Sequence, residues 1–414
     1  MGKSSDEIRV AITGLGILSC IGNSKEEVTR SLQQGRSGIV RDELRVEKGF
    51  RSPLTGQIQN FSPKDLGLKR KQMRTMCEPS LYAYSAARDA VSDAGLEPKD
   101  LESSRCGIVF GNDSTVKAGV DCLDTARKYN ETHYIGTGSI FRLMNSTITM
   151  NLAQIFKVKG ANWTVSSACS SGSNALGQAY MLIKSGLQDI VLSGGAQETN
   201  WMGVAGFDSL GAFSTHPDPA SACRPFDGAR DGLVPSGGGA SLVVENLDHA
   251  RKRGAKIYGI IQGYGFSSQI GANLSESNAE GVGLAIENAL ISARLDADRI
   301  DYINAHATST PSGDRIEALA IHNIFGNRVP VSSTKSMTGH ECWMSGASEA
   351  VYTLLMAHHG FLAPNINFQG FEPGFPDINV VKQTRDHTMN HAISNSFGFG
   401  GTNAAVVFDF RENQ

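Results

Sequence analysis

Residues 163–184 read WTVSSACSSGSNALGQAYMLIK. Trp163-Thr164-Val165-Ser166 has the β-branched and aromatic character of a strand, and the stretch from about Ser173 to Lys184 reads as a helix. Cys169 sits between them, in Ser166-Ser167-Ala168-Cys169-Ser170-Ser171-Gly172. A strand that feeds a helix through a short turn is the building block of an α/β protein. The pattern repeats outward. Arg9–Thr13 reads as a strand ending in a Gly14-Leu15-Gly16 turn, and Ser24 with Glu27 suggests a helix start that Gly35 closes. Helices are expected at Leu81–Ala94, Ser146–Phe156, Gly281–Ala293, Gly313–Phe325 and Ser345–His358. Strands are expected at Cys106–Phe110, Asp189–Ser193, Gly239–Glu245, Ile257–Tyr264, Asp301–Ala305 and Val329–Ser333. This alternation predicts largely parallel sheets covered on both faces. The second part repeats the plan of the first, with the join near residue 250 and no linker: 1–250 and 251–414.

Composition narrows the function. Hydrophobic residues make up 40% and charged residues 19%, which excludes a disordered chain or a coiled coil. A net charge of -3 gives no chain-wide basic field, so nucleic acid is not an expected partner. No apolar run approaches the ~20 residues needed to cross a bilayer. The first ten residues, MGKSSDEIRV, hold no apolar signal segment. The seven cysteines follow neither disulfide nor zinc spacing; they read as free thiols of a cytoplasmic protein, and no metal is expected. Gly14-x-Gly16 lacks the third glycine of a dinucleotide-binding turn, since Ser19 holds that place.

Cys169 is the first chemical candidate. At a helix N-terminus a thiol meets unpaired N–H groups and the positive end of the helix dipole, and both favour the thiolate. A buried structural thiol is the alternative. His306 and His340 shift the balance, because each follows a strand, where open α/β sheets build their sites. A thiolate that takes an acyl group, beside two neutral imidazoles that hydrogen-bond an enolate oxygen, suits carbon–carbon bond formation.

Five segments then carry a resemblance. They are the Cys169 segment, Arg224-Pro225-Phe226-Asp227 with Arg230-Asp231-Gly232, His306-Ala307-Thr308-Ser309-Thr310-Pro311, Thr334-Lys335 with His340, and Asn395-Ser396-Phe397-Gly398-Phe399-Gly400-Gly401-Thr402-Asn403. From about Arg9 to Phe408 the chain resembles the elongating, Cys-His-His β-ketoacyl-acyl-carrier-protein synthases of the thiolase superfamily. The resemblance implies a five-layered α-β-α-β-α architecture of two similar halves. It implies ping-pong acyl transfer to Cys169 and decarboxylative condensation with malonyl-acyl carrier protein, in fatty acid or polyene/polyketide biosynthesis. It implies no permanently bound cofactor, the substrates arriving on the phosphopantetheine arm of the carrier, and a homodimer or a heterodimer with a related synthase-like subunit. By position, His306 and His340 match the decarboxylation histidines, Lys335 a lysine that orders the site, and Glu349 its acidic supporter. The N–H groups of Cys169 and Phe399 match the oxyanion hole. Phe399, flanked by Gly398 and Gly400, matches the gate, and Thr308 and Thr310 match hydroxyls that hold the phosphopantetheine arm. The basic run Lys69-Arg70-Lys71-x-x-Arg74 matches a carrier-docking patch, with Arg70, Lys71 and Arg74 as the candidates.

The chain also departs from the pattern. The family usually has two variable residues and Gly-Ala-Ala-Gly after the second histidine; here Glu341-Cys342-Trp343-Met344-Ser345-Gly346 stands. Ala307 in place of the usual glycine is a minor change. A carboxylate at Glu341 would raise the pKa of His340 if it touched the ring. Trp343, three residues after His340, is expected on the same side of a helix starting there, packed either on a dimer partner or along the acyl tunnel. Two rivals remain. A thiolase acting on coenzyme A esters would need a second cysteine base near the C-terminus, and none follows Cys342. A non-catalytic, chain-length-shaping partner subunit would lack Cys169.

Overall fold

The computed structural model describes residues 7–269 and 273–413. Ten of its strands form two runs of five. In the first run β1 is Val10–Leu18, β2 Cys106–Gly111, β3 Asn162–Val165, β4 Ile190–Gln197 and β5 Gly238–Asn246. In the second β6 is Gly259–Ser268, β7 Tyr302–Asn304, β8 Pro330–Ser332, β9 His391–Gly398 and β10 Thr402–Asp409. Across the sheet the order is β8-β7-β9-β10-β6-β1-β5-β4-β2-β3, with the two-residue strand Asn379–Val380 outside β8. Each half therefore reads third, second, fourth, fifth, first. The repeat that the sequence suggested is a repeat of topology.

The sheet is mixed, which corrects the largely parallel expectation. β3, β2 and β4 run parallel, as do β8, β7 and β9, because helices link these strands as crossovers. β5 pairs antiparallel with β4 and β1, and β10 antiparallel with β9 and β6. Among the described residues, strand pairing between the two half-sheets occurs only where Val10–Ile12 runs antiparallel to Gly259–Ile261. At this seam the sheet folds, and its halves face each other across two helices. We label the principal helices α1 (Glu78–Asp93), α2 (Ser171–Lys184), α3 (Ala279–Ala293), α4 (Pro311–Phe325) and α5 (Ser345–His359). α2 and α5 pack on each other and on strands of both halves, α1 covers β1, β5 and β4 from outside, and α3 covers β6 and β10 with α4 beside it on the same face. These are five layers, helix–sheet–helix–sheet–helix. A helix between two sheets must be apolar or small all round. Every residue of α5 from Ser345 to Met356 is buried.

Gly14-Leu15-Gly16 is not a turn but the middle of β1, all nine residues of which are buried. A Cβ on Gly16 would lie 1.9 Å from the Ala86 carbonyl oxygen, and one on Gly14 2.2 Å from that of Ala90. The glycines give α1 its close approach to the strand, against a helix face of Ala83, Ala86, Ala87 and Ala90. The Ser24 reading holds in part. Its side chain caps the helix Lys25–Gln34 at Glu27 N–H, and Gly35 ends that helix at φ 61°. The Glu27 carboxylate, however, accepts from Asn23 N–H.

Candidate active site

Cys169 stands in the turn between β3 and α2. Ala168 before it has φ 50°, a conformation that non-glycine residues seldom adopt. That kink sends the cysteine side chain inward, where it is 4% exposed. His340 follows β8 and the short helix Lys335–Thr338, and its Nε2 lies 3.1 Å from Cys169 Sγ. His306 follows β7, with its ring 5.3 Å from that of His340, centroid to centroid, and nearly perpendicular to it. The fold thus brings all three sequence candidates together.

Lys335 and Glu349 form an ion pair, both about 1% exposed. The Lys335 ammonium also lies 3.4 Å from His306 Nδ1. An ammonium can only donate, so Nδ1 is the acceptor and the His306 proton sits on Nε2. Burial first, and the Lys335 charge second, push both histidines well below the ordinary 6.5. Burial pushes the Glu349 carboxyl up, against the opposing pull of Lys335. Both rings are therefore neutral at physiological pH, as hydrogen-bond donors to an enolate must be.

The cysteine contradicts the expectation of a lowered pKa. Burial pushes its thiol up to about 12, while Lys335 and the N–H groups of Phe399 and Cys169 itself pull the other way without prevailing. The resting nucleophile is a thiol, and Nε2 of His340 is the base within reach of its proton. The two N–H groups that bond the sulfur are the pair expected to form the oxyanion hole. The hairpin tip carrying Phe399 rests on the nucleophile turn. Thr402 Oγ1 donates to Ser167 O at 2.8 Å, and a Cβ on Gly398 would sit 3.1 Å from Cys169 N. Gly400 has φ 74°, where a side chain would be strained. Phe399 itself is 37% exposed. Thr308 and Thr310 lie on the His306 loop with their hydroxyl oxygens 3.1 Å apart.

Two supporting residues were not legible in the sequence. Glu317, on α4, accepts from the N–H groups of His306 (2.9 Å) and Ala307 (2.6 Å) and from Asn395 (3.1 Å), so it fixes the histidine turn against β9. An acidic residue on the helix after a catalytic turn was the available signal. Ser345 Oγ lies 3.1 Å from His340 Nδ1. A hydroxyl can accept from Nδ1–H or donate to bare Nδ1, so it serves both the state in which Nε2 takes the thiol proton and the one in which Nε2–H donates.

The departures resolve differently from expectation. Glu341 turns away from the His340 ring and accepts from Ser19 (2.8 Å), Tyr352 (2.9 Å) and Ser348, and burial raises its carboxyl. Trp343 is not on a helix that begins at His340. It belongs to a 3-10 turn, Cys342–Met344, ahead of α5. It is 7% exposed and packs with Cys169, Cys342, Ala168 and Phe207. The basic run forms a four-residue helix, Arg70–Met73, with Lys69, Arg70, Lys71 and Arg74 all exposed.

Comparison with known proteins agrees with this geometry. Residues 7–250 match the family model for the N-terminal domain of β-ketoacyl synthases, and residues 258–369 match the C-terminal one. The chain is 43% identical over 406 residues to 3-oxoacyl-[acyl-carrier-protein] synthase 1 of Haemophilus influenzae, covering 97% of this chain and 98% of that one. It is 40% identical over 404 residues to the enzyme of the same name in Escherichia coli, with 96% and 98% covered. A β-ketoacyl synthase from Burkholderia phymatum superposes with a TM-score of 0.93 at 34% identity, covering 97% and 99%. The ishigamide ketosynthase/chain length factor superposes at 0.90 with 30% identity, covering 97% and 99%. Two family models spanning both halves, relatives of 40% identity or more and a superposable fold agree: the chain belongs to the β-ketoacyl synthase family.

Proposed function

We propose that this chain is a 3-oxoacyl-acyl-carrier-protein synthase that condenses a Cys169-bound acyl group with malonyl-acyl carrier protein. The observation that carries this reading is the convergence of Cys169 Sγ, His340 Nε2 and the Lys335-oriented His306 in one buried site. His340 Nε2 takes the thiol proton as Sγ attacks the carrier thioester. The C–S bond to phosphopantetheine breaks, and the proton leaves with its thiol. Malonyl thioester then loses carbon dioxide, and the enolate oxygen accepts hydrogen bonds from His306 Nε2–H and His340 Nε2–H. The enolate carbon attacks the acyl thioester, whose oxyanion lies between the N–H groups of Cys169 and Phe399. One C–C bond forms, the acyl bond to Sγ breaks, and the Cys169 thiolate so released takes a proton from solvent to return to the thiol. Thr308 and Thr310 hold the arm, and Phe399, between Gly398 and Gly400, is the gate. No permanently bound cofactor enters the scheme. Cys342 does not supply a thiolase base, because its Sγ donates to His340 O at 3.7 Å and burial raises it well above its ordinary value.

Two interaction surfaces follow, both in the half 1–250. Lys69, Arg70, Lys71 and Arg74, with no ion pair among the described residues, present an exposed cationic helix to an acidic carrier. β3 is the outer edge of the sheet, and Trp163 on it is 48% exposed. The helices Val116–Tyr129 and Ser139–Leu143 bury none of their residues and expose Leu123, Tyr129, Ile140 and Phe141. An open strand edge with exposed aromatic residues calls for a cover. A second copy, or a related synthase-like subunit, pairing edge to edge supplies it. No helix among the described residues is long and apolar enough to cross a membrane, which fits cytoplasmic work on carrier-bound substrates.

Four outcomes are expected. Cys169→Gln abolishes condensation yet still decarboxylates malonyl-carrier, and His306→Ala slows decarboxylation ~10²–10³-fold, the usual loss of one oxyanion donor; β-ketoacyl formation by Cys169→Gln at the wild-type rate would sink the mechanism. With the thiol held at about 12, iodoacetamide alkylation of Cys169 rises with pH from 7 to 10 without a plateau. A plateau with a midpoint below pH 8 would show that the helix end prevails after all. Charge reversal at Lys71 and Arg74 raises KM for carrier-bound acyl groups and spares acyl-pantetheine, an effect that shrinks with salt over the ~8–10 Å screening range; equal damage to both substrates would assign the helix a structural role. Phe141→Glu combined with Trp163→Lys sediments as single chains, and an unchanged assembly would move the interface elsewhere.

A further inference from the structure

The side chains around the thiol narrow the substrate class. Phe207 lies between Trp343 and Phe399, with ring centroids 6.2 Å and 5.8 Å apart and interplanar angles of 46° and 33°. Phe213 stacks on the far side of Phe207 at 6.3 Å and 13°. Trp343 and Phe207 share one packed cluster with Cys169, so the acyl carbons nearest the sulfur are placed against aromatic faces. The Trp343 indole Nε1 is fully buried and has no hydrogen-bond partner among the described residues. Buried N–H groups are nearly always paired, and an orphan beside a nucleophile points to an acceptor that arrives with the substrate. The Trp343 backbone is wedged as well. A Cβ on Gly172 would meet its carbonyl oxygen at 3.2 Å, and one on Gly195 at 3.1 Å, so both glycines pack closely on the Trp343 main chain.

A saturated chain meets this wall poorly. It loses rotational freedom at every bond it must straighten, and its methylenes offer an N–H nothing to bond. A conjugated chain is already rigid and flat, stacks on the rings and presents a π face to the indole N–H. We propose that Trp343 is a specificity residue for conjugated, polyenoyl acyl groups on Cys169, held by Phe207 and the Phe399 gate. This rests on the ketosynthase reading above and adds the substrate class to it.

The test compares kcat/KM for 2,4-dienoyl-carrier and saturated acyl-carrier of the same length, with malonyl-carrier as the second substrate. The wild-type chain should favour the dienoyl donor by about tenfold or more, which is ~1.4 kcal/mol or more between the two transition states. Trp343→Leu should bring the ratio close to one by losing dienoyl turnover, while Trp343→Phe, which keeps a ring, should retain most of the preference. A wild-type preference for the saturated donor, or a ratio that Trp343→Leu leaves unchanged, overturns the proposal while leaving the ketosynthase reading intact. If the wild-type chain forms no β-ketoacyl product from either donor, the ketosynthase reading itself fails. Near-ultraviolet circular dichroism and malonyl decarboxylation by each variant establish that a lost preference does not come from a lost fold.

Discussion

One buried ammonium acts on all three groups that the fold brings together. Lys335 is held by Glu349, and its charge acts on His306, His340 and Cys169 together. It adds to the burial that keeps both imidazoles neutral and, at Nδ1 of His306, decides which ring nitrogen carries the proton. Such a pair contributes little net stability, since desolvating two charges offsets most of their attraction; removing one partner typically costs ~3–5 kcal/mol because the other is left buried alone. The pair is therefore better understood as a constraint on the site than as a source of stability. Glu317 makes the matching constraint on the main chain, gripping the N–H groups of His306 and Ala307. Between them Lys335 and Glu317 fix His306 at its ring and at its backbone.

The nucleophile shows how a correct local argument loses to burial. A helix end stabilises an anion by ~0.3–1 kcal/mol, and by ~2 kcal/mol in the best partly buried cases. Moving the thiol from 9.0 to about 12 corresponds to ~4 kcal/mol in the opposite direction. Desolvation wins, and reactivity must come from a base rather than from a resting thiolate. In the proposed mechanism that gives His340 two tasks on one nitrogen, proton acceptor in the first half-reaction and hydrogen-bond donor in the second. Ser345, where the family pattern has alanine, is the hydroxyl that accommodates both.

The sequence carried the parts of the site that depend on residue identity at fixed positions. Cys169, His306, His340 and the Lys335–Glu349 pairing fall together in the structure as the motifs implied. What escaped depends on direction and on distant chain. Glu341 adjoins His340 in sequence, yet Ser19 and Tyr352 draw its carboxylate to the opposite side, and nothing local announces a partner more than 300 residues away. Trp343 was placed by helical periodicity on a helix that does not begin until Ser345. Gly14 and Gly16 looked like a turn because glycine punctuates chains; here the pair is spaced for one face of a strand, and only α1 packed across it reveals why. The alternation of elements implied sheets covered on both faces but not strand direction, since a helical crossover and a tight return such as Phe399–Gly401 leave similar hydrophobic runs.

The repeated topology explains why the two halves contribute different chemistry. In each, the third strand leads to a middle-layer helix: β3 to α2 and β8 to α5. The first connection is residues 166–170, too short for anything but the Cys169 turn itself. The second is residues 333–344, long enough to hold the Lys335 helix and to carry His340 back over α5. The ends of the second strands correspond in the same way. Beyond β7 lies His306; beyond β2 lies Asp113, which bonds Ala168 N–H and the Ser166 hydroxyl and so braces the nucleophile turn. The first half holds the sulfur still and the second supplies the groups that move or share protons. Because α2 and α5 pack directly against each other, the distance from Cys169 Sγ to His340 Nε2 is set in the middle layer, where both helices are buried between the two half-sheets and have least room to shift.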